Sequence, residues 1–182
     1  MREPKARKVA LTGMLLALAL VLSYLESFLT PLLGLMPAMK LGLSNVVVMF
    51  ALLMLGRSTA LTLAVLKALF AFLTRGATAG LLSLCGGVCS WAVLATLLAL
   101  PLPVTGYQFS VCGAIAHNIG QLAAACVVVG SAMALGYAPV LLVSSLATGF
   151  CTCLISKIIF PALQRIFSMK NVKKNPFIKK KS

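Results

Sequence analysis

The sequence predicts an all-α polytopic membrane protein, a bundle of six transmembrane helices. Three observations carry that prediction. Of 182 residues, 61% are hydrophobic and only 10% are charged, whereas a soluble domain carries about a quarter charged residues. The mean hydropathy is +1.07. The apolar residues form continuous runs rather than alternating patterns, which favours helices over a barrel. The charges avoid these runs. The sixteen Lys and Arg lie almost entirely at the two ends and in short gaps, and Glu3 and Glu26 are the only acids, with no Asp in the chain.

A helix needs roughly 20 apolar residues to cross a ~30 Å hydrocarbon core. Six runs suit that role: 9–28, 43–55, 60–73, 80–100, 111–135 and 138–160. The first is too long for the apolar region of a secretory leader, and Glu26-Ser27-Phe28 makes a poor cleavage site. The second and third are short, which suits a broken or partly extramembrane helix. The connections at 31–42, 56–59, 74–79, 101–110 and 136–137 leave no room for a soluble domain. The chain therefore divides into a basic N-terminus (1–8), one six-helix membrane domain (9–167) and a basic tail (168–182) that is frayed or surface-lying.

Orientation follows from the positive-inside rule. With six spans, both termini share a side with thirteen of the sixteen cations, leaving only Lys40, Lys67 and Arg75 on the other. Both termini are thus expected to be cytoplasmic, in the plasma membrane. The net charge of +14 then reflects topology and attraction to anionic lipid. A nucleic-acid partner is not expected, because the basic tail interleaves only Phe167 and Phe177 among its cations.

Composition also excludes several chemistries. There is no G-x-x-x-x-G-K-[ST] phosphate cradle. Two distant Glu cannot make the paired carboxylates of a glycosidase, and one His cannot build a multi-His metal site. A Ser-His-acid triad would have to combine His117 with Glu26. The cysteines at 85, 89, 112, 126, 151 and 153 form no C-x-x-C motif and suit a role as small packing residues. No enzyme, metal or cofactor is expected.

Polar groups inside a bilayer are costly and mark functional candidates. One cluster is Lys40-Leu-Gly-Leu-Ser-Asn45, after the Pro-rich stretch 31–37. Another is His117-Asn118-Ile-Gly-Gln121, where positions 117, 118 and 121 share a helix face. The expected depths bring Glu26, Asn45, Lys67, Arg75, Gly86 and the polar residues of the fifth span toward the outer half of the bilayer. The expectation is an outward-facing, positively charged pocket lined by Lys40, Asn45, Lys67, His117, Asn118 and Gln121 beneath the 31–37 loop. Each residue also has a plainer reading. Lys67 and Arg75 suit snorkelling, Glu26 an ion pair, and the residues of the fifth span interhelical hydrogen bonds. Gly13 and Ala17, with Ala10 one turn earlier, form a small-residue stripe at the cytoplasmic end of the first span, where a membrane partner can approach closely.

With these residues in place, the chain resembles the Gx transporter family, also labelled heptaprenyl diphosphate synthase component I, which is similar to the S components of energy-coupling-factor (ECF) transporters. The resemblance covers roughly residues 8–165. It rests on Lys40-Leu-Gly-Leu-Ser-Asn45, Val65-Leu-Lys67 with Arg75-Gly76, Ser83-Leu-Cys-Gly86-Gly87 and Ala116-His117-Asn118-Ile-Gly120-Gln121-Leu122. It implies a six-helix substrate-binding subunit that takes a small metabolite from outside and docks on a transmembrane T component bearing two ATPases. The A-x-x-x-A docking motif of such subunits is matched in part, by Gly13 and Ala17. The synthase label implies an isoprenoid or quinone-related compound. Prenyl synthases bind diphosphate through Asp-rich motifs, which this chain lacks, so the alternative role is a non-catalytic membrane accessory of polyprenyl diphosphate or quinone synthesis.

Overall fold

Helices account for almost all of the structure, a computed structural model that describes residues 5–32, 43–101, 103–136 and 138–166. Their order is α1 (Lys5–Leu32), α2 (Leu43–Met54), α3 (Arg57–Arg75), α4 (Ala77–Ala99), α5 (Gly106–Val129), α6 (Ser131–Gly136) and α7 (Ala138–Ile166). Five of them, α1, α3, α4, α5 and α7, contain stretches long and apolar enough to cross a membrane. Their outer surfaces are oily: Leu73, Val127 and Ile158 are 74%, 87% and 74% exposed. Water would penalise such a surface, whereas lipid accepts it. The chain is a polytopic membrane protein.

The expected six-span count is not carried over unchanged. α2 has 12 residues, or about 18 Å at 1.5 Å per residue, too short to cross a ~30 Å core by itself. Its burial explains its apolarity. Val46, Val47, Phe50 and Ala51 are fully buried, and Met49, Leu52 and Leu53 nearly so. A helix that is apolar all round belongs in an interior. It packs between α1, α3 and α7, and Phe50 meets Phe160 of α7 edge-to-face with centroids 5.4 Å apart.

The third run, in contrast, is not short. α3 spans 19 residues, because Arg57, Ser58 and Thr59 at one end and Thr74 and Arg75 at the other join the helix. The expected 56–59 connection reduces to Leu55 and Gly56, and the expected 74–79 connection to Gly76 alone. Both glycines have positive φ, 100° and 91°, in a region that only glycine enters cheaply. α5 begins at Gly106 rather than near 111, since Thr105 and Gln108 form a reciprocal capping box. The expected 111–135 span divides at Gly130 (φ 100°) into α5 and α6. α7 extends to Ile166, through Pro161.

Tight turns at Gly56 and Gly76 and the capped start of α5 fold α3 back on α2, α4 on α3 and α5 on α4. Backbones approach closely where side chains vanish. A Cβ added at Gly120 would meet the Cys85 carbonyl oxygen at 2.6 Å, one at Gly149 the Val111 Cα at 2.8 Å, and one at Gly80 the Phe72 Cβ at 2.5 Å. These crossings lock α4 to α5, α5 to α7 and α3 to α4 without a hydrophobic driving force, as packing in lipid requires.

Candidate functional site

The α2–α3 turn determines where the first polar group goes. Asn45 and Lys67 stand equally far before and after Gly56, so the antiparallel hairpin sets them side by side. Lys67 Nζ donates to Asn45 Oδ1 at 2.8 Å and to Ser44 Oγ at 2.9 Å. An ammonium on a helix face between apolar neighbours is thereby held inward rather than released to the headgroups.

The pocket that Lys67 lines collects three further ionisable groups, Glu26, Arg75 and His117. This small polar pocket, open at its mouth, is lined by Ser23 and Glu26 of α1, Ser44 and Asn45 of α2, Lys67 and Arg75 of α3, Ser83 of α4 and His117 of α5. Five helices thus contribute to it. Glu26 follows the buried stripe Leu11, Leu15, Ala19 on α1 and is only 3% exposed. Arg75, the last residue of α3, donates from Nη2 to Ser23 Oγ at 3.2 Å. Two fixed cations therefore face one carboxylate across this pocket.

His117 and Gln121 are both buried. Gln121 Nε2 lies 3.1 Å from His117 Nε2, one turn along α5. The space for this pair comes from Gly86 on α4, where an added Cβ would meet Gln121 Cγ at 2.8 Å and His117 Cε1 at 2.9 Å. Gly86 thus contributes room rather than a polar group.

A second cavity adjoins the first and shares Asn45, Lys67 and Ser83 with it. This one is a narrow slot with about 390 Å³ of empty space, including its open mouth. α2 contributes Asn45, Val48, Met49 and Leu52, spaced for one helix face; α3 contributes Ala64 and Lys67; α4 contributes Ser83, Gly87, Ser90, Trp91 and Leu94. Trp91 lies one turn before Leu94 on this wall, and its Nε1 donates to the Arg57 carbonyl at 2.9 Å.

The residues singled out from sequence are placed unevenly. Glu26, Asn45, Lys67, Arg75 and His117 come together. Gln121 and Gly86 stand directly behind His117. Asn118 turns to a different neighbour: its Nδ2 donates to the Leu141 carbonyl at 3.1 Å and to Ser145 Oγ at 2.8 Å, joining α5 to α7. Lys40 and the 33–37 part of the loop lie outside the described residues. Ala10, Gly13 and Ala17 are exposed on α1, and open space surrounds the position of a Gly13 Cβ. Sequence reasoning missed Ser23, although it lies one turn before Glu26, and it missed the Trp91 slot, although 83, 87, 90, 91 and 94 follow helical spacing. Among the described residues, no group of three His, Cys, Asp or Glu is placed to hold a metal ion, and the six cysteines are free.

The family model for heptaprenyl diphosphate synthase component I matches residues 15–159. The chain belongs to this family. The match takes in every residue of both cavities. Comparison of the chain with curated proteins and with solved structures returned no match.

Proposed function

We propose that this chain is the substrate-binding membrane subunit of an ECF-type uptake transporter, non-catalytic on its own, in the plasma membrane with both termini cytoplasmic. The observation that carries the reading is the polar pocket of Glu26, Asn45, Lys67, Arg75 and His117 at one end of an otherwise apolar bundle. Buried polar groups in lipid are expensive, and a ligand that pairs with them offsets that cost. Two cations facing one carboxylate, with low-dielectric helices around them, concentrate an anionic or carbonyl-rich small molecule. The subunit has no nucleotide cradle, so energy comes from elsewhere: a transmembrane T component bearing two ATPases, docked along Ala10, Gly13 and Ala17.

A second reading is favoured by the family's description as one component of a synthase. In it the chain is a membrane accessory that presents a lipid-like substrate to a separate polyprenyl diphosphate or quinone enzyme. Affinity purification from native membranes with quantitative mass spectrometry separates the two. A membrane subunit with two ATPases supports transport; a soluble prenyl synthase alone supports the accessory role and overturns the first reading. In the transporter reading, Gly13→Leu abolishes uptake while the isolated subunit still binds ligand. Lys67→Ala weakens that binding by about 1–3 kcal/mol, the cost of a lost buried hydrogen-bond partner.

A further inference from the structure

The C-terminal end of α7 carries features that the polar pocket does not use. Ser156, Phe160 and Leu163 are buried against the bundle, whereas Lys157, Pro161 and Arg165 are exposed on the opposite side. Leu154, Phe150 and Val143, also exposed, continue that side toward the start of the helix. At 3.6 residues per turn, these six exposed positions lie within about 80° of one another around the axis. One face of α7 is therefore apolar along its length and cationic at its end. The apolar part, from Val143 to Leu154, runs about 16 Å at 1.5 Å per residue, the depth of one leaflet of a ~30 Å core. Lys157 stands about 28 Å along the helix from Ala138, where such a core ends, and Arg165 about 12 Å further.

Among the described residues, no carboxylate competes for these cations. The only acid there is Glu26, which lines the polar pocket, and α1, which carries it, makes no contact with α7. Pro161 adds an acceptor. Its ring nitrogen has no hydrogen, so the Lys157 carbonyl, four residues earlier, lacks the donor that an interior helical turn supplies. At the edge of the hydrocarbon a carbonyl without its donor is costly, and a donor from outside the helix backbone offsets that cost.

We infer that this end of α7 binds an anionic phospholipid whose headgroup carries a hydroxyl. The phosphate sits between Lys157 and Arg165, about 6 Å along the axis from each, a distance that either long side chain covers by extending. The headgroup hydroxyl donates to the Lys157 carbonyl, and an acyl chain lies along Leu154, Phe150 and Val143. A zwitterionic headgroup brings an ammonium of its own against the two cations and fits worse. A soluble anion leaves the apolar part of the face unmatched. The net charge of +14 draws anionic lipid to the chain in general; the two side chains and the carbonyl select one headgroup. This site is separate from the polar pocket and does not depend on what that pocket binds.

Native mass spectrometry of the full chain in detergent counts lipids as they bind one at a time. Three probes separate the parts of the site. Phosphatidylglycerol has the charge and the hydroxyl, phosphatidylmethanol the charge alone, and phosphatidylcholine no net charge. The first binding event is expected to be tightest for phosphatidylglycerol. It weakens roughly fivefold in Lys157→Met and again in Arg165→Met, as for basic residues near an anionic surface. Pro161→Ala returns an N–H to the Lys157 carbonyl. It is expected to erase the advantage of phosphatidylglycerol over phosphatidylmethanol and to leave phosphatidylmethanol binding unchanged. Arg57→Met on α3 and Lys174→Met in the tail remove the same charge elsewhere and leave the first event intact. Thermal melting in detergent shows that each variant is folded, and Lys157→Gln or Arg165→Gln replaces one that is not. Equal affinity for phosphatidylglycerol and phosphatidylcholine, or an equal loss from Arg57→Met and Lys157→Met, reduces the effect to diffuse attraction and overturns the site. Equal binding of phosphatidylglycerol and phosphatidylmethanol by the wild type overturns the hydroxyl contact and the headgroup class that rests on it.

Discussion

Asn118 and Lys67 were indistinguishable in the sequence, two polar residues in apolar helices, yet their surroundings assign them different work. Asn118 spends its amide on Leu141 and Ser145 across the α5–α7 interface, whereas Lys67 reaches the pocket shared by five helices. Asn118→Ala is therefore expected to lower thermal stability in detergent by about 0.6–2 kcal/mol, the range for interhelical hydrogen bonds in membranes, and to leave ligand affinity unchanged. A thermal melt paired with a binding titration checks this. Loss of affinity without loss of stability would place Asn118 in the site after all. Gly120 poses the opposite case, a residue with no polar atom in its side chain on which the site depends. Its Cα faces the Cys85 carbonyl, and the clash of an added Cβ at 2.6 Å is with backbone that cannot swing aside. Gly120→Val is expected to push α4 from α5, costing about 1–3 kcal/mol through overpacking and displacing His117 from Gly86. Detergent melting and accessibility of Cys85 to a thiol reagent both report it; unchanged values would mean the crossing relaxes without strain.

At the level of the helix, the junctions matter more than the interiors. Gly76 closes α3 and opens α4 within a single residue at φ 91° and ψ 173°. That region is essentially reserved for glycine, and other residues there cost of order 1–3 kcal/mol. Gly76→Ala is expected to destabilise the chain by that amount and, because Arg75 is its neighbour, to disturb the bond to Ser23. Equilibrium unfolding in mixed micelles, compared with Ala77→Gly as a control in the same turn, measures the effect. Much of the helical order was legible beforehand, because apolar runs in a chain with 10% charge can satisfy their backbones in lipid only as helices. The ends were less legible. Hydropathy stops counting at the first Arg or Thr, so α3 read as 60–73 although the helix continues to both arginines. The capping box of Thr105 and Gln108 was visible in the letters and would have moved the start of α5.

For the molecule as a whole, depth reasoning gathered Glu26, Asn45, Lys67, Arg75 and His117 at one end, and these five do line one pocket in the structure. Depth alone cannot tell which way round a helix a residue faces; that is why Asn118, one position after His117, joined the same expectation although it turns toward α7. The Trp91 slot was invisible for a related reason. It is a gap among side chains of α2, α3 and α4, and a gap has no letter in the sequence. Topology is the remaining test at this scale. Reporter fusions after Ser182 and within the 31–42 loop are expected to place the first in the cytoplasm and the second outside, as thirteen of sixteen cations demand under six crossings. An external C-terminus would overturn the six-crossing reading and the outward-facing pocket built on it.

The glycine crossing of α4 and α5 has a consequence for divergence. At Gly120 the contact is with the Cys85 backbone, and at Gly86 it is with the His117 carbonyl and the His117 and Gln121 side chains, so the crossing constrains these glycines and their partners and leaves the side chains at 45, 67 and 91 unconstrained. Substitutions that recut the pocket need not disturb the frame, and substitutions that break the frame destroy every pocket at once. Descendants of such a chain are free to change what they recognise in few steps, provided the two glycines persist.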